Sequence, residues 1–149
     1  MDSSGVHLWL VLMKAYRTLK RHARCSIAPL GLGSSDFAIL ELLLHRGQQP
    51  VNAIGRRVDL TSGAITSAVD RLEGRGLVVR TADAEDRRTR LVSLTPKGTA
   101  LIRKVFGLHK RGMEDATRSL TAAERETLID LVRKLGRAAE QQLANENEE

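Results

Sequence analysis

One predicted helix carries side chains on a single face that could hydrogen-bond to a nucleic acid. Its sequence, S-G-A-I-T-S-A-V-D-R-L-E, follows Thr61, and both Thr61 and Ser62 are residues that cap helix starts. At about 100° per residue, one face is apolar and the other holds small polar groups and one long cation. The predicted contact residues of this segment are Thr61, Ser62, Gly63, Thr66, Ser67, Asp70 and Arg71. Such groups could reach base edges or phosphates, and their small size would permit close docking.

A second set of candidate contacts lies in a basic turn, D-A-E-D-R-R, over residues 83–88. Turn-forming residues occupy its base, Arg87 and Arg88 lie near its tip, and Asp86 is placed to orient a guanidinium. Arginine suits the narrow minor groove of DNA, because its charge is permanent and weakly hydrated. Taken alone, the pattern favours an ordinary solvated turn with surface ion pairs. Its position after a candidate DNA-reading helix favours a role in DNA binding instead.

Two helices would position the first set of side chains. Val51, Ile54 and Val58 predict a short helix of about two turns, and residues 59–60 leave only a tight connection to the next helix. Apolar residues of that next helix recur at helical spacing and predict its buried face, namely Ile65, Ala68, Val69 and Leu72.

A hairpin would position the second set. The G-R-G run at residues 74–76 ends the preceding helix, and short strands are predicted over residues 77–80 and 90–94. The whole segment therefore has the pattern of a helix-turn-helix followed by a basic hairpin.

Amphipathic helices are predicted on both sides of this region. Over residues 6–23 the apolar residues form two adjoining stripes, so this helix needs more than one packing partner. Thr95-Pro96 opens a second helix, and residues 121–124 form a capping box that begins a third. The predicted fold is mainly α with a small β-hairpin wing. Packing within one chain and packing between two copies are both open interpretations of the apolar faces.

The length and charge of the chain limit its architecture and partners. Its 149 residues can bury one moderate core, and a single domain is predicted over residues 1–149. A formal net charge of +6 favours a polyanionic partner, although a generic basic surface would have the same charge. Arginines concentrate in the region of the predicted helix pair and hairpin, namely Arg56, Arg57, Arg71, Arg75, Arg80, Arg87, Arg88 and Arg90.

The sequence holds no recognisable catalytic or metal-binding motif. Its four histidines are scattered, and it contains no H-E-x-x-H, phosphate-binding loop, G-x-S-x-G or clustered Cys/His spacing. We therefore expect no enzyme activity, no cofactor and no metal. No secretion signal or long uncharged apolar segment occurs, so a cytoplasmic protein without a membrane partner is expected.

The motifs follow one another in a distinctive order. After the short helix come the helix L-T-S-G-A-I-T-S-A-V-D-R-L-E, the strand G-L-V, the wing D-x-x-D-R-R and the segment L-T-P-K-G. This order resembles the MarR family of dimeric winged-helix transcriptional regulators, and the similarity covers nearly the whole chain. The opening H-L-W-L-V-L-M-K-A-Y-R and the segment L-G-L-G-S-S-D-F-A-I-L-E-L-L-L-H are similar to the branch containing the repressor of 2-methylhydroquinone and catechol resistance genes.

This resemblance implies a repressor that an effector releases from double-stranded DNA. The recognition helix would enter the major groove while the wing arginines enter the adjacent minor groove. It also implies a homodimer built from helices at about residues 5–28 and 99–144, around a winged helix-turn-helix part at about 34–98. The dimer would meet an imperfect inverted-repeat operator with half-site centres about 10 base pairs apart.

The resemblance also implies a ligand pocket between the dimer helices and the winged module. Such a pocket would suit a small aromatic or phenolic effector, and ordinary core packing is the alternative for its wall residues. The candidate wall residues are Trp9, Met13, Tyr16, Phe37, Phe106 and His109. Urate-responsive members combine a Trp, an Asp and two Arg. Here Trp9 and Arg80 match, but Ala38 and Ala68 stand at the other two positions, which argues against urate.

A lone thiol offers a different switch on the same fold. Cys25 is flanked by Arg24 and lies near Arg21 and His22, which could acidify the thiol enough to react with oxidants or quinones. An inert structural cysteine is the alternative, and a single cysteine excludes a disulfide within one chain. A third interpretation uses the winged helix for non-specific DNA binding or protein interaction, without sequence readout.

Overall fold

Helices dominate the architecture, and a small sheet interrupts them. The computed structural model describes residues 4–84, 86 and 88–146, and these contain six α-helices and three strands. The elements are α1 (Gly5–Ile27), a 3₁₀ turn (Ala28–Leu30), α2 (Ser34–Arg46), β1 (Gln49–Pro50), α3 (Val51–Arg57), α4 (Ser62–Gly74), β2 (Val78–Ala82), β3 (Arg90–Leu94), α5 (Pro96–Ala116) and α6 (Ala122–Glu146). The predicted mainly α fold with a small hairpin wing is confirmed. The chain divides into two compact units, one up to Met113 and one from Glu114 onward.

Helix α4 has the capped start and the buried face that its sequence predicts. The Thr61 hydroxyl oxygen accepts a hydrogen bond from the Ala64 N–H at 3.3 Å, which satisfies one free donor of the first turn. Its inward-facing residues are all buried, namely Ile65, Ala68, Val69 and Leu72. The short helix α3 leads into α4 through Asp59, which takes a φ of 54°. Across this turn the Leu60 N–H donates to the Gly55 carbonyl at 2.9 Å, so the two helices meet closely.

The end of α4 is closed by two backbone hydrogen bonds. The Gly76 N–H donates to the Glu73 carbonyl at 2.8 Å, and the Leu77 N–H donates to the Leu72 carbonyl at 3.0 Å. This pair of bonds is a Schellman motif, which places Gly76 in the left-handed region at a φ of 68°. Glycine accepts that conformation without the cost of a Cβ, so the chain turns directly from α4 into the sheet.

The start of α5 is built against this turn. The Thr95 hydroxyl accepts a hydrogen bond from the Gly98 N–H at 3.0 Å and donates its proton to the Gly76 carbonyl at 2.7 Å. Pro96 occupies the first helical position, where a missing N–H costs nothing. Gly98 packs against the Leu77 carbonyl so closely that a Cβ there would lie 1.9 Å from its oxygen. One threonine and one glycine therefore join the end of α4, the first strand of the wing and the start of α5.

The sheet has the strand order β1-β3-β2 and is antiparallel throughout. In the hairpin, Val78 lies opposite Leu94 and Ala82 lies opposite Arg90, which confirms the predicted pair of strands. The first strand begins one residue later than predicted and runs two residues further, because the residue before it closes α4. Strand β1 was not predicted, since two residues are too few to show an alternating pattern. Its Pro50 suits an edge strand, where a missing donor is tolerated.

A single cluster of apolar side chains holds the winged module together. Members with no exposed surface come from α2, α3, α4, β3 and α5, and they are Ile39, Leu40, Ile54, Val69, Leu72, Val92, Ile102 and Val105. Burial of a side chain of this size contributes about 1.5–3 kcal/mol, so these contacts fix α4 relative to the sheet and α2.

Helices α1 and α6 keep large apolar side chains on their surfaces. Those of α1 are Val6, Leu8, Trp9, Leu10, Val11 and Tyr16, and those of α6 are Leu128, Ile129, Leu131, Val132, Leu135 and Leu143. The predicted capping box of α6 is confirmed, because the Thr121 N–H donates to the Glu124 carboxylate at 2.8 Å and the Glu124 N–H donates to the Thr121 hydroxyl oxygen at 3.3 Å. These Thr121 bonds, the backbone one first, lower the pKa of Glu124.

In the part of the chain that the structure describes, no single helix is long and apolar enough to cross a membrane. A bent pair, Gly5–Leu30 with Ser34–Arg46 at 84°, meets the requirement of length and composition only when the two segments are counted together.

Gly98→Ala should destabilise the fold by about 1–3 kcal/mol, because the new methyl group would overlap the Leu77 carbonyl. Gly107→Ala is the matched control, since it lies in the same helix and its Cβ would meet no atom within 4 Å beyond its chain neighbours and the nearby backbone of its own helix. The control should be neutral or stabilising by up to about 1 kcal/mol, through helix propensity. Urea unfolding monitored by circular dichroism measures both. Equal stability of the two variants would contradict the close approach.

Candidate nucleic-acid interface

Helix α4 and the wing border an open groove of about 470 Å³. Its walls combine hydroxyl, amide and apolar side chains with three arginines, and they are formed by Val51, Asn52, Ser62, Ile65, Thr66, Asp70, Arg80, Arg88, Thr89 and Arg90. The groove thus places three of the predicted α4 contacts, Ser62, Thr66 and Asp70, beside the predicted wing contact Arg88. The remaining α4 candidates are exposed, namely Thr61, Gly63, Ser67 and Arg71.

The hydrogen bond of the Thr66 hydroxyl determines which role it can play in this groove. It donates its proton to the Ser62 carbonyl at 2.9 Å, one helical turn earlier. A hydroxyl has one proton and two acceptor lone pairs, so the outward side of the Thr66 oxygen remains an acceptor. In this conformation, Thr66 can therefore receive a hydrogen bond from a donor such as an amino group.

The sequence pattern placed Arg71 where it could reach base edges or phosphates, and in the structure a carboxylate of α2 binds its guanidinium. Its Nε lies 3.2 and 3.1 Å from the two carboxylate oxygens of Asp36 in α2, and its Nη2 also donates to Oδ1. The Asp36 side chain is 6% exposed, whereas that of Arg71 is 50% exposed. Hydrogen bonding to Asp36, and then its negative charge, raise the pKa of Arg71. On the other side of the carboxylate, Arg75 approaches to 3.8 Å and donates to the Gly31 carbonyl at 3.2 Å.

Asp36 was not identified among the candidate residues, although the sequence contains a signal for it. It precedes Ile39, Leu40 and Leu43 at spacings of three, four and seven residues, which places it on the buried stripe of α2. A carboxylate on a buried stripe requires a cationic or hydrogen-bonding partner. The sequence could indicate that a partner exists, but not which of the arginines supplies it.

Arg80 in β2 forms a second ionic link to α4. Its Nη1 donates to Glu73 and its Nη2 donates to Asp70, both at 2.6 Å, while its backbone N–H donates to Glu73 at 3.1 Å. Partial burial lowers the pKa of Arg80, but the hydrogen bonds to Asp70 and Glu73 outweigh this effect and raise it. The negative charge of Asp70 on the outer face of α4 is therefore neutralised by Arg80 of the wing strand β2.

The described contacts of Asp86 organise the wing turn. Its carboxylate accepts a hydrogen bond from the Arg88 N–H and another from the Thr89 hydroxyl, both at 2.9 Å. These bonds, the backbone one first, lower the pKa of Asp86, so the carboxylate stays ionised at neutral pH. The sequence pattern suggested that Asp86 orients a guanidinium, whereas these bonds go to a backbone N–H and a hydroxyl. Arg87 lies outside the described residues.

The candidate effector-pocket residues fall into separate groups. The rings of Phe37 and His109 are 4.8 Å apart, and the ring of Phe106 lies 5.0 Å from that of His45. Met13 is half-buried on α1. Trp9 and Tyr16 are 60% and 56% exposed on α1, so they do not line an enclosed cavity in one copy of the chain.

The hydrogen bonds of Ser26 define the tautomer of His109. The Ser26 hydroxyl donates to the Ala23 carbonyl at 2.7 Å and also lies 3.0 Å from Nδ1 of His109. Because the single hydroxyl proton is already used, Nδ1 carries a proton and donates it to Ser26. In the neutral His109 ring, Nε2 is then the acceptor.

The Cys25 side chain, the candidate redox residue, lies on the exposed surface of α1. A row of cations follows the same helix and comprises Arg17, Lys20, Arg21 and Arg24. Among the described residues, no group of three or more His, Cys, Asp or Glu side chains could hold a metal ion.

Comparison with known proteins identifies related regulators. The MarR family model matches residues 32–89, which include α4 and the first wing strand, β2. The HTH-type transcriptional regulator MhqR of Bacillus subtilis (strain 168) is 36% identical over 141 residues, which are 95% of this chain and 97% of that protein.

Solved structures with the same fold include proteins studied with DNA or with regulation by a ligand. A mutant of MarR from E. coli, complexed with operator DNA, superposes with a TM-score of 0.79 and 25% identity over 87% of this chain and 94% of its own. Bordetella bronchiseptica BpsR, studied for regulation of its DNA binding by 6-hydroxynicotinic acid, has a TM-score of 0.77 and 25% identity over 90% and 94%. With the winged helix-turn-helix and the extended match to MhqR, the chain belongs to the MarR family of DNA-binding transcriptional regulators.

Proposed function

We propose that this protein is a homodimeric repressor, which binds an inverted-repeat operator and is released by a small aromatic or phenolic ligand. The observation that carries the proposal is the groove between α4 and the wing. If α4 enters the major groove and the wing enters the adjacent minor groove, the DNA strand that separates those grooves must pass between them. The groove has a hydroxyl and guanidinium groups suited to donate to a sugar–phosphate chain, namely Ser62, Arg88 and Arg90.

The outer face of α4 would read base edges through its small polar groups. Gly63, Thr66 and Ser67 are exposed, and the acceptor side of the Thr66 hydroxyl suits an exocyclic amino group of adenine or cytosine. Asp70 and Arg71 are both held by partners within the protein, so they contribute less to direct readout than the sequence pattern suggests.

The apolar surfaces of α1 and α6 support a dimer. Each helix exposes several large aliphatic or aromatic side chains, a pattern that marks an interaction surface rather than a solvated one. Two copies joined through these helices would present two copies of α4 to successive major grooves, and an inverted repeat matches that two-fold symmetry.

The pair formed by Phe37 and His109 is the best-defined part of the proposed effector site. The apolar face of Phe37 could stack on an aromatic ring, and Nε2 of His109 could accept a hydrogen bond from a phenolic hydroxyl. Trp9, Met13, Tyr16 and Phe106 remain candidates for the other walls. The α1 residues among them would line the site only after a second copy covers that helix.

Exposure of the Cys25 thiol supports a second candidate switch. In this alternative, the DNA is released by oxidation of Cys25 or addition of a quinone to it, and not by reversible ligand binding. The effector experiment below separates the two switches.

The decisive test is to select an operator from a random-sequence DNA pool and compare its affinity with that of a scrambled duplex. Tighter binding to the operator at near-physiological salt is expected, with release by catechol, methylhydroquinone, salicylate or 6-hydroxynicotinate. Cys25→Ser should keep both DNA binding and release if the ligand acts reversibly, and should lose only release if the thiol is the switch. Equal binding to all duplexes would indicate non-specific DNA binding and would contradict the proposal.

Arg88→Ala and Arg90→Ala should each weaken operator binding about tenfold and reduce the salt slope by about 1, because each removes a cation from the groove. Arg87→Ala in the same turn should also weaken binding if its side chain enters the minor groove. Arg103→Ala is the control, since it removes the same charge from the exposed surface of α5. Fluorescence anisotropy at several salt concentrations measures the effect. Equal losses in the wing variants and the control would contradict this role of the groove.

Leu131→Glu should weaken the dimer, because it places a charge within the exposed apolar face of α6. Gln141→Glu adds the same charge at an exposed polar position of α6 and should leave the dimer intact. Analytical ultracentrifugation over a range of protein concentrations measures the dimer dissociation constant. A monomeric wild-type protein, or an unchanged constant for Leu131→Glu, would count against assembly through this face.

A further inference from the structure

We propose that Asp36 is a positioning residue for DNA recognition, which holds the Arg71 guanidinium in place and keeps it from making a sequence-independent phosphate contact. This inference rests on the proposed function, in which α4 reads DNA. Asp36 itself is buried in α2 and would not touch the DNA, so it acts through Arg71.

The geometry of the pair restricts the Arg71 side chain. Two of its three guanidinium nitrogens, Nε and Nη2, point at the Asp36 carboxylate. A planar guanidinium held through two nitrogens has a fixed orientation, unlike a single-point ion pair. Only Nη1 is left without a bond to Asp36, and the neighbouring carboxylate offsets much of the charge that would attract a phosphate.

Burial of Asp36 makes separation of the Asp36–Arg71 ion pair unfavourable. The Asp36 carboxylate is almost fully removed from solvent, and movement of Arg71 to a phosphate would leave this charge without its main partner. Removal of one partner from a buried ion pair is strongly unfavourable. Arg75, at 3.8 Å, is too distant to form the same short hydrogen bonds without moving.

The location of the pair connects it to readout. Arg71 lies one helical turn after Ser67, next to Asp70 on the outer face of α4. Arg71 is tied to α2 and Asp70 is tied to β2, so ionic links hold the helix from two sides. The uncharged groups at the start of α4 are therefore left as the principal readers. A mobile cation on this face would bind the phosphates of any duplex. If the cation is held by Asp36, the uncharged groups at the start of α4 distinguish one DNA sequence from another.

The test compares the operator selected above with a scrambled duplex, using the full-length protein and its Asp36→Asn, Arg71→Gln and double variants. Asp36→Asn should bind scrambled DNA about fivefold more tightly at roughly 0.15 M salt, with a salt slope steeper by about 0.9, because the freed Arg71 adds one phosphate contact. Operator affinity should not improve, since the link that holds α4 to α2 is lost. The ratio of the scrambled to the operator dissociation constant should therefore fall about fivefold.

Two comparisons distinguish this effect from general changes in charge or folding. Glu41→Gln removes the same charge from the same helix and should leave the ratio within about twofold of wild type, so an equal fall in this variant would overturn the proposal. In the Arg71→Gln background, Asp36→Asn should have no further effect on scrambled DNA, and a persistent effect would also overturn it. Partial unfolding would weaken binding to both duplexes, which is opposite to the expected gain on scrambled DNA.

If Asp36→Asn does not fold, Arg71→Lys provides the same test, because lysine keeps the charge but cannot make the two-nitrogen contact. For Arg71→Lys, the ratio of the scrambled to the operator dissociation constant should also fall, and an unchanged ratio would overturn the proposal. A wild-type protein that binds both duplexes equally would overturn the proposed function and this inference together. A wild-type protein that discriminates, with a variant that discriminates equally well, would overturn only the inference.

Discussion

The close approach of α5 to the end of α4 is the constraint on which the winged module depends. At this point the Schellman turn at Gly76 ends α4, Leu77 leads into β2, and Gly98 leaves room for the Leu77 carbonyl. Thr95 ties the start of α5 to the same turn through its hydroxyl. Because α4 and the wing both leave from this turn, a shift here would move the two candidate DNA-contacting elements relative to each other.

Ion pairs also hold α4 in place and neutralise charges on it. The helix is linked to α2 through Asp36 and Arg71, and to β2 through Arg80 with Asp70 and Glu73. Each link orients a charged side chain and also reduces the net charge that α4 presents outward. The cations that remain available around the groove, including Arg88 and Arg90, come from the wing. Within the proposed function, this division assigns phosphate contacts mainly to the wing and base contacts mainly to the start of α4.

The flanking helices show a different balance between burial and exposure. The winged module buries its apolar residues within one copy of the chain, whereas α1 and α6 expose theirs. Ser26, Phe37 and His109 form a cluster at which side chains of α1, α2 and α5 meet. Phe37 directly follows Asp36, so the proposed effector contact and the proposed positioning residue occupy consecutive places in one turn of α2. Ligand binding at this cluster would therefore act next to a link that holds α4.

The sequence by itself determined the local features of this protein. Helical spacing, caps and turn residues are properties of short segments, so the capped start of α4, its glycine-rich end, the hairpin and the capping box could all be predicted. Only the tertiary structure decided which distant side chains meet. Arg71 and Asp36 are 35 residues apart, and many arginines could have paired with that carboxylate. Similarly, the tautomer of His109 depends on Ser26, 83 residues away. Periodicity constrains the face on which a residue lies, whereas the partner of a charge depends on how whole elements pack, and that information is not contained in any one segment.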